Sequence, residues 1–128
     1  MKPLAILVLC LFISSCGDDE NIDLSCMQSD WVGTYTGTRI CDGGMEQDVT
    51  LTFSAIGSRL SLFYLVGINV TTHGEIDFNG CEIDDNITSQ NVNYSIKATL
   101  NGSELTMEDR FVVGNALGPL CKITATKN

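Results

Sequence analysis

The chain has 128 residues, enough for one domain around a single core, and carries seven Lys and Arg against sixteen Asp and Glu, a formal net charge of −9. So acidic a chain is a poor match for nucleic acid, whose phosphates need Lys and Arg. It also lacks an electrostatic grip on anionic lipid, and acidity of this kind serves solubility.

The amino terminus reads as an export signal. Met1-Lys2-Pro3 supplies one positive charge, Leu4 to Ile13 is unbroken apolar chain, and the small residues Ser14-Ser15 precede Cys16. A membrane-spanning helix needs roughly 20 apolar residues, so this run is too short for a permanent anchor. The stretch Ile13-Ser14-Ser15-Cys16 resembles the lipobox of bacterial lipoproteins. That resemblance implies cleavage after residue 15, a diacylglyceryl group on the Cys16 thiol, and membrane attachment through it. Two or more acyl chains hold a protein stably where one does not.

Gly17-Asp18-Asp19-Glu20-Asn21-Ile22-Asp23 reads as a solvated spacer. It resembles the acidic export signal that follows the lipid cysteine in Bacteroidetes-type surface lipoproteins. The resemblance implies the outer membrane, with display on the cell surface; a periplasm-facing location is the alternative. The expected organisation is a signal peptide over 1–15, a lipidated acidic tether over 16–25, and a single β domain over 26–128. Loss of Lys2 with the signal leaves six basic against sixteen acidic residues, a net −10.

With Cys10 in the signal and Cys16 lipidated, Cys26, Cys41, Cys81 and Cys121 remain. An even count in an exported chain predicts two disulfides. Zinc ligands come in close pairs, and these four are widely separated, with the one histidine, His73, near none of them. No metal and no cofactor is expected.

From Trp31 onward the domain reads as strands. Trp31 to Cys41 alternates with period two, placing Trp31, Tyr35 and Cys41 on one face. Asp42-Gly43-Gly44 is a turn. Val49, Leu51 and Phe53 alternate with polar neighbours, a half-buried strand. Leu60 to Val66 is apolar at both parities and reads as buried on both faces. Gly74 to Phe78, Asn79-Gly80, and Cys81 to Asp84 read as a tight hairpin, because Asn-Gly suits a type I′ turn. A second hairpin runs from Tyr94 to Leu100, turns at Asn101-Gly102, and returns through Leu105 and Met107. Arg110 to Val113 is a short strand, and Leu120 to Lys127 is the last, with Cys121, Ile123 and Ala125 on one face. Trp31, Tyr35, Phe53, Phe63, Tyr64, Phe78 and Phe111 are expected core.

Short β-rich segments punctuated by Gly and Asn-Gly turns predict an all-β domain, an antiparallel meander of about eight strands. Curled into a barrel, it removes free edges; a two-sheet β-sandwich is the alternative. Gly33-Thr34-Tyr35, Cys41 at the end of that strand, and the closing Cys121 to Lys127 segment resemble small Bacteroidetes-type lipoproteins of lipocalin-like build. Lipocalins proper open with G-x-W, whereas here Tyr35 takes the aromatic place and Trp31 precedes the glycine. That departure and the short domain argue against a large ligand cavity. A meander that curls on itself lays its first strand beside its last, which predicts a Cys41–Cys121 bridge; Cys26 and Cys81 pair by elimination. Opposed Cα atoms in an antiparallel pair are within disulfide reach.

Catalytic motifs are missing. No G-x-S-x-G or H-E-x-x-H occurs, and the disulfides consume every candidate nucleophilic thiol. His73, in the polar run Thr71 to Gly74, is expected at the surface. Glu75, Asp77, Glu82, Asp84 and Asp85 surround the 79–80 turn; calcium is one use for such oxygens, a solvated hairpin face the other. The expected function is a non-catalytic binding or interaction module on the membrane, for a protein, a glycan or a small apolar ligand. Alternatives are an enzyme inhibitor or immunity-type lipoprotein using a protruding loop at 114–119 or 71–74, or an envelope-structural protein without ligand.

Overall fold

The computed structural model describes residues 25–89 and 92–128. The expected signal peptide, Cys16 and the expected tether up to residue 24 lie outside the described residues. One short helix, α1 (Gln28–Trp31), precedes nine strands: β1 (Gly33–Cys41), β2 (Gln47–Ile56), β3 (Arg59–Val66), β4 (Asn69–Ile76), β5 (Glu82–Ser89), β6 (Val92–Asn101), β7 (Glu104–Val113), β8 (Ala116–Leu117) and β9 (Cys121–Lys127).

All strands belong to one antiparallel sheet in the order β4-β3-β2-β1-β9-β7-β6-β5, with β8 folded back on β7. The sheet curls into a nearly closed, lipocalin-like barrel. It consists of two meanders, β1 to β4 and β5 to β9, fused where the first strand pairs with the last. Their register runs from Tyr35 opposite Lys127 to Cys41 opposite Cys121. Gly37 permits this closeness, because a side-chain carbon there would collide with the backbone of Thr124 and Ala125.

The Asn79-Gly80 turn forms, with two backbone hydrogen bonds between Asn79 and Glu82 of 2.8 and 3.1 Å, but no β4–β5 ladder grows from it. Strand β4 is bulged at Gly74 and Glu75, where the register against β3 shifts between Leu60 and Leu62. Glu75 takes a left-handed φ of 58°, a conformation rare outside glycine. The Asp77 N–H then bonds the Asp85 carboxylate instead of a strand carbonyl. The barrel is therefore open along the β4–β5 seam.

Alternation decides the core, as in β2, where Val49, Leu51 and Phe53 are buried. Each such side chain contributes roughly 1.5–3 kcal/mol. Strand β3 corrects the two-sided expectation. Leu60, Leu62, Tyr64 and Val66 point inward, while Phe63 is exposed, so only one face is buried. Phe111 is also partly exposed rather than core. Arg110 to Val113 is not a separate strand but the continuation of β7.

Both bridges form as expected, one at each end of the barrel. Cys41–Cys121 joins β1 to β9 with Cα atoms 3.9 Å apart, and Cys26–Cys81 ties the domain's entry to the β4–β5 turn with Cα atoms 4.7 Å apart. Trp31 ends α1 instead of opening the first strand, because the helical turn swings its indole across the barrel base. Edge-to-face contacts join Phe53 to Trp31 at 5.6 Å and to Tyr35 at 5.7 Å. The Trp31 indole N–H donates to the Gly80 carbonyl at 2.8 Å, and the Tyr35 hydroxyl donates to the Trp31 carbonyl at 2.8 Å. Gln28 closes the β2–β3 turn by donating to the Gly57 and Arg59 carbonyls.

Candidate polar site at the barrel mouth

The opposite end is built differently. Strand parity continues past the apolar core and brings polar side chains to inward positions. On β1, Tyr35 and Gly37 are followed by Arg39. On β7, Leu105 and Met107 are followed by Asp109, which is register partner to Cys121. Strand β3 offers Tyr64 after Leu62. Strand β4 offers His73, opposite Leu62, and β6 offers Tyr94, opposite Phe111.

These groups come from both meanders, and Arg39 and Asp109 lie beside the Cys41–Cys121 bridge. Arg39 stacks its guanidinium over the Tyr64 ring, 5.6 Å from the centroid, and donates from Nη2 to the Cys121 sulfur at 3.1 Å. Its Nη1 reaches Gln47 at 3.4 Å. The His73 ring packs edge-on against Tyr94 with centroids 4.6 Å apart, reaching across the open seam, and Tyr94 lies 6.5 Å from Phe111.

Tyr64, His73 and Asp109 are 5, 3 and 8% exposed, yet their polar atoms are unpartnered. Arg39 Nε, Tyr64 Oη, His73 Nδ1 and Asp109 Oδ1 are all buried with no hydrogen-bond partner. No ion pair joins Arg39 to Asp109 among the described residues. Leaving such a group unsatisfied costs about 1–3 kcal/mol each, and buried polar groups are normally paired. These orphans, gathered at one end of the barrel, make the mouth the candidate site.

Burial sets the protonation states. It lowers the His73 imidazole below its ordinary value, so the ring is neutral at pH 7. Burial raises the Asp109 carboxyl, and only the Arg39 charge and the aspartate's own backbone N–H pull it back. The Tyr64 phenol is raised by burial, then by the Asp109 charge, with Arg39 opposing. Asp109 and Arg39 thus both act on Tyr64. At the base, burial followed by the Asp30 charge pushes Tyr35 up to about 12. Both phenols are donors in the physiological range.

His73 corrects its sequence reading: it is buried within β4, not at the surface, and residues 71–74 form no protruding loop. The bulge after His73 is the reason, since it puts His73 and Ile76, three residues apart, on the same inward face. Sequence reading also passed over Arg39 and Asp109. Each shares parity with residues correctly placed inside, Arg39 with Tyr35 and Cys41, Asp109 with Met107, and that parity was the available signal. Among the acidic residues near the 79–80 turn, Glu75 and Asp77 are held by Arg59 at 3.3 and 2.6 Å. Among the described residues no group of three His, Cys, Asp or Glu side chains gathers to hold a metal ion.

A shallow groove of about 420 Å³ lies on the sheet's outer face over β5, β6, β7 and β9. Register sets Asp84, Lys97, Glu108 and Lys122 in a row of alternating charge across it. These side chains are exposed and solvated, and such pairs contribute little. The groove strands no polar atom, whereas the mouth leaves four buried polar atoms unpartnered, so the mouth is the stronger candidate. Comparison with protein-family models and with curated proteins finds no match for this chain.

Proposed function

We propose that the chain is a lipid-anchored, non-catalytic binding protein of the bacterial outer membrane, and that the barrel mouth is its ligand site. The four unpartnered buried polar atoms of Arg39, Tyr64, His73 and Asp109 carry this reading. Membrane attachment rests on Cys16 and the signal before it. The domain begins at its plugged end, where Cys26 is bonded to Cys81. A tether of ten residues from Cys16 spans at most about 35 Å. The mouth lies at the far end of the barrel from that attachment, which suits a site turned away from the membrane.

Two measurements test this. Cys16→Ser should release the protein from the membrane fraction or leave it uncut; a processed variant that stays membrane-bound contradicts the anchor. Native mass spectrometry of full-length protein extracted in mild detergent should show a bound small molecule that is lost from Arg39→Gln. A ligand retained in that variant places the site elsewhere.

A protein partner is the second reading. Met45 and Ile68 in two turns and Leu117 on β8 are exposed at the mouth end, Ile68 at 95%. Exposed apolar side chains of this kind mark interaction surfaces when they cluster. Replacing all three with Ser should abolish co-purification of a partner protein without affecting the mouth.

A further inference from the structure

The mouth presents opposite charges that do not neutralise each other directly. Arg39 on β1 and Asp109 on β7 are separated by β9, two strand spacings or roughly 10 Å between backbones. Arg39 spends its Nη atoms on the Cys121 sulfur and Gln47 and leaves Nε unpartnered. Asp109 leaves Oδ1 unpartnered. Tyr64 offers an unpartnered hydroxyl under the guanidinium. Half-exposed Tyr94 and Phe111 supply an aromatic flank beside His73.

The charge balance selects among ligand types. A simple anion would satisfy Arg39 and Tyr64 but would bring a second negative charge towards buried Asp109. A simple cation would satisfy Asp109 and bring a second positive charge towards Arg39. Like charges in a poorly hydrated site are costly, and charged hydrogen bonds there are strong. A ligand carrying both signs satisfies both residues without bringing like charges together.

We propose that the barrel mouth takes a small zwitterion with an apolar or aromatic substituent, of the α-amino acid type. Its carboxylate is held by Arg39 and Tyr64, its ammonium by Asp109, and its substituent lies against Tyr94 and Phe111. Neutral His73 packs the aromatic flank and adds no net charge. This inference rests on the mouth being the ligand site.

The test uses three probes with one ring and different charges: L-phenylalanine, phenylacetate and phenethylamine, titrated calorimetrically at pH 7 into full-length protein in detergent. L-phenylalanine should bind at least tenfold more tightly than either singly charged probe. Arg39→Gln should weaken L-phenylalanine at least tenfold and tighten phenethylamine, which then no longer meets a second positive charge. Asp109→Asn should weaken L-phenylalanine at least tenfold and tighten phenylacetate, which then no longer meets a second negative charge. The comparison on the unaltered protein stands even if a variant fails to fold. Phenylacetate binding as tightly as L-phenylalanine overturns the zwitterion while leaving the mouth a ligand site. Absence of binding by all three also overturns it, and the ligand retained or lost by Arg39→Gln in native mass spectrometry then judges the mouth separately.

Discussion

The two ends of this barrel use similar residues to opposite effect. At the base, Trp31, Tyr35 and Gln28 place every polar group named there on a backbone carbonyl. At the mouth, Tyr64, His73 and Asp109 are buried and Arg39 is half-buried, and each leaves a polar atom unpartnered. Each end also carries a disulfide, so both are pinned. The base is built for stability, whereas the mouth spends stability to keep polar groups facing inward. Proteins retain such costs at functional sites.

The largest effects should come from the pins. Removing Cys41–Cys121 with paired Cys→Ser substitutions opens a loop of 80 residues. It should cost about 4–5 kcal/mol in the chain-entropy model, as much as many small domains possess. Urea unfolding of the double variant checks this. A loss under about 1 kcal/mol would mean the paired strands alone hold the two meanders together. Peptide mapping without reductant should recover Cys41 with Cys121 and Cys26 with Cys81.

Next comes the base. Trp31→Ala removes a fully buried indole and its bond to Gly80. The expected cost is about 3–5 kcal/mol. If the same assay shows a much smaller loss, α1 is not the plug that the contrast between the ends requires.

Much of the apolar core and the bridge between the first and last strands was legible in the sequence, because period two is a local signal. Val49, Leu51 and Phe53 declared their inward face, and Cys41 and Cys121 declared theirs at opposite ends of the first and last strands. The pairing of those strands followed from the topology of a curled meander. Trp31 was assigned correctly to the interior but to the wrong element, since one turn of helix directs a side chain inward as well as a strand does. The mouth was mostly hidden. A charged residue at an inward parity, such as Arg39 or Asp109, looks like a solvent-facing one until its neighbours across the sheet are known. His73 was concealed by the Gly74–Glu75 bulge, which breaks period two without leaving a pattern in the residue types.

The mouth should also respond to pH. Burial holds the folded-state His73 below its ordinary pKa, so on acidification the unfolded chain takes up the proton first. The His73 contribution is then fully present above about pH 6.5 and is lost as pH falls, by at most about 1.4 kcal/mol per pH unit. His73→Gln should remove that slope between pH 7 and 5 in thermal melts. Asp109 acts with the opposite sign: its raised folded-state pKa means stability falls as pH rises through the range between its ordinary and raised values. Asp109→Asn should flatten that lower-pH limb.

The smallest effect separates the two ends most directly. Tyr35 and Tyr64 are both buried tyrosines, but the Tyr35 hydroxyl donates to the Trp31 carbonyl at 2.8 Å while the Tyr64 hydroxyl has no partner. Tyr35→Phe should lower the urea-unfolding free energy at pH 7 by about 1 kcal/mol, and Tyr64→Phe should leave it unchanged or raise it by up to about 1 kcal/mol. If Tyr64→Phe costs as much as Tyr35→Phe, the Tyr64 hydroxyl is already satisfied, and the mouth is not a site waiting for a ligand.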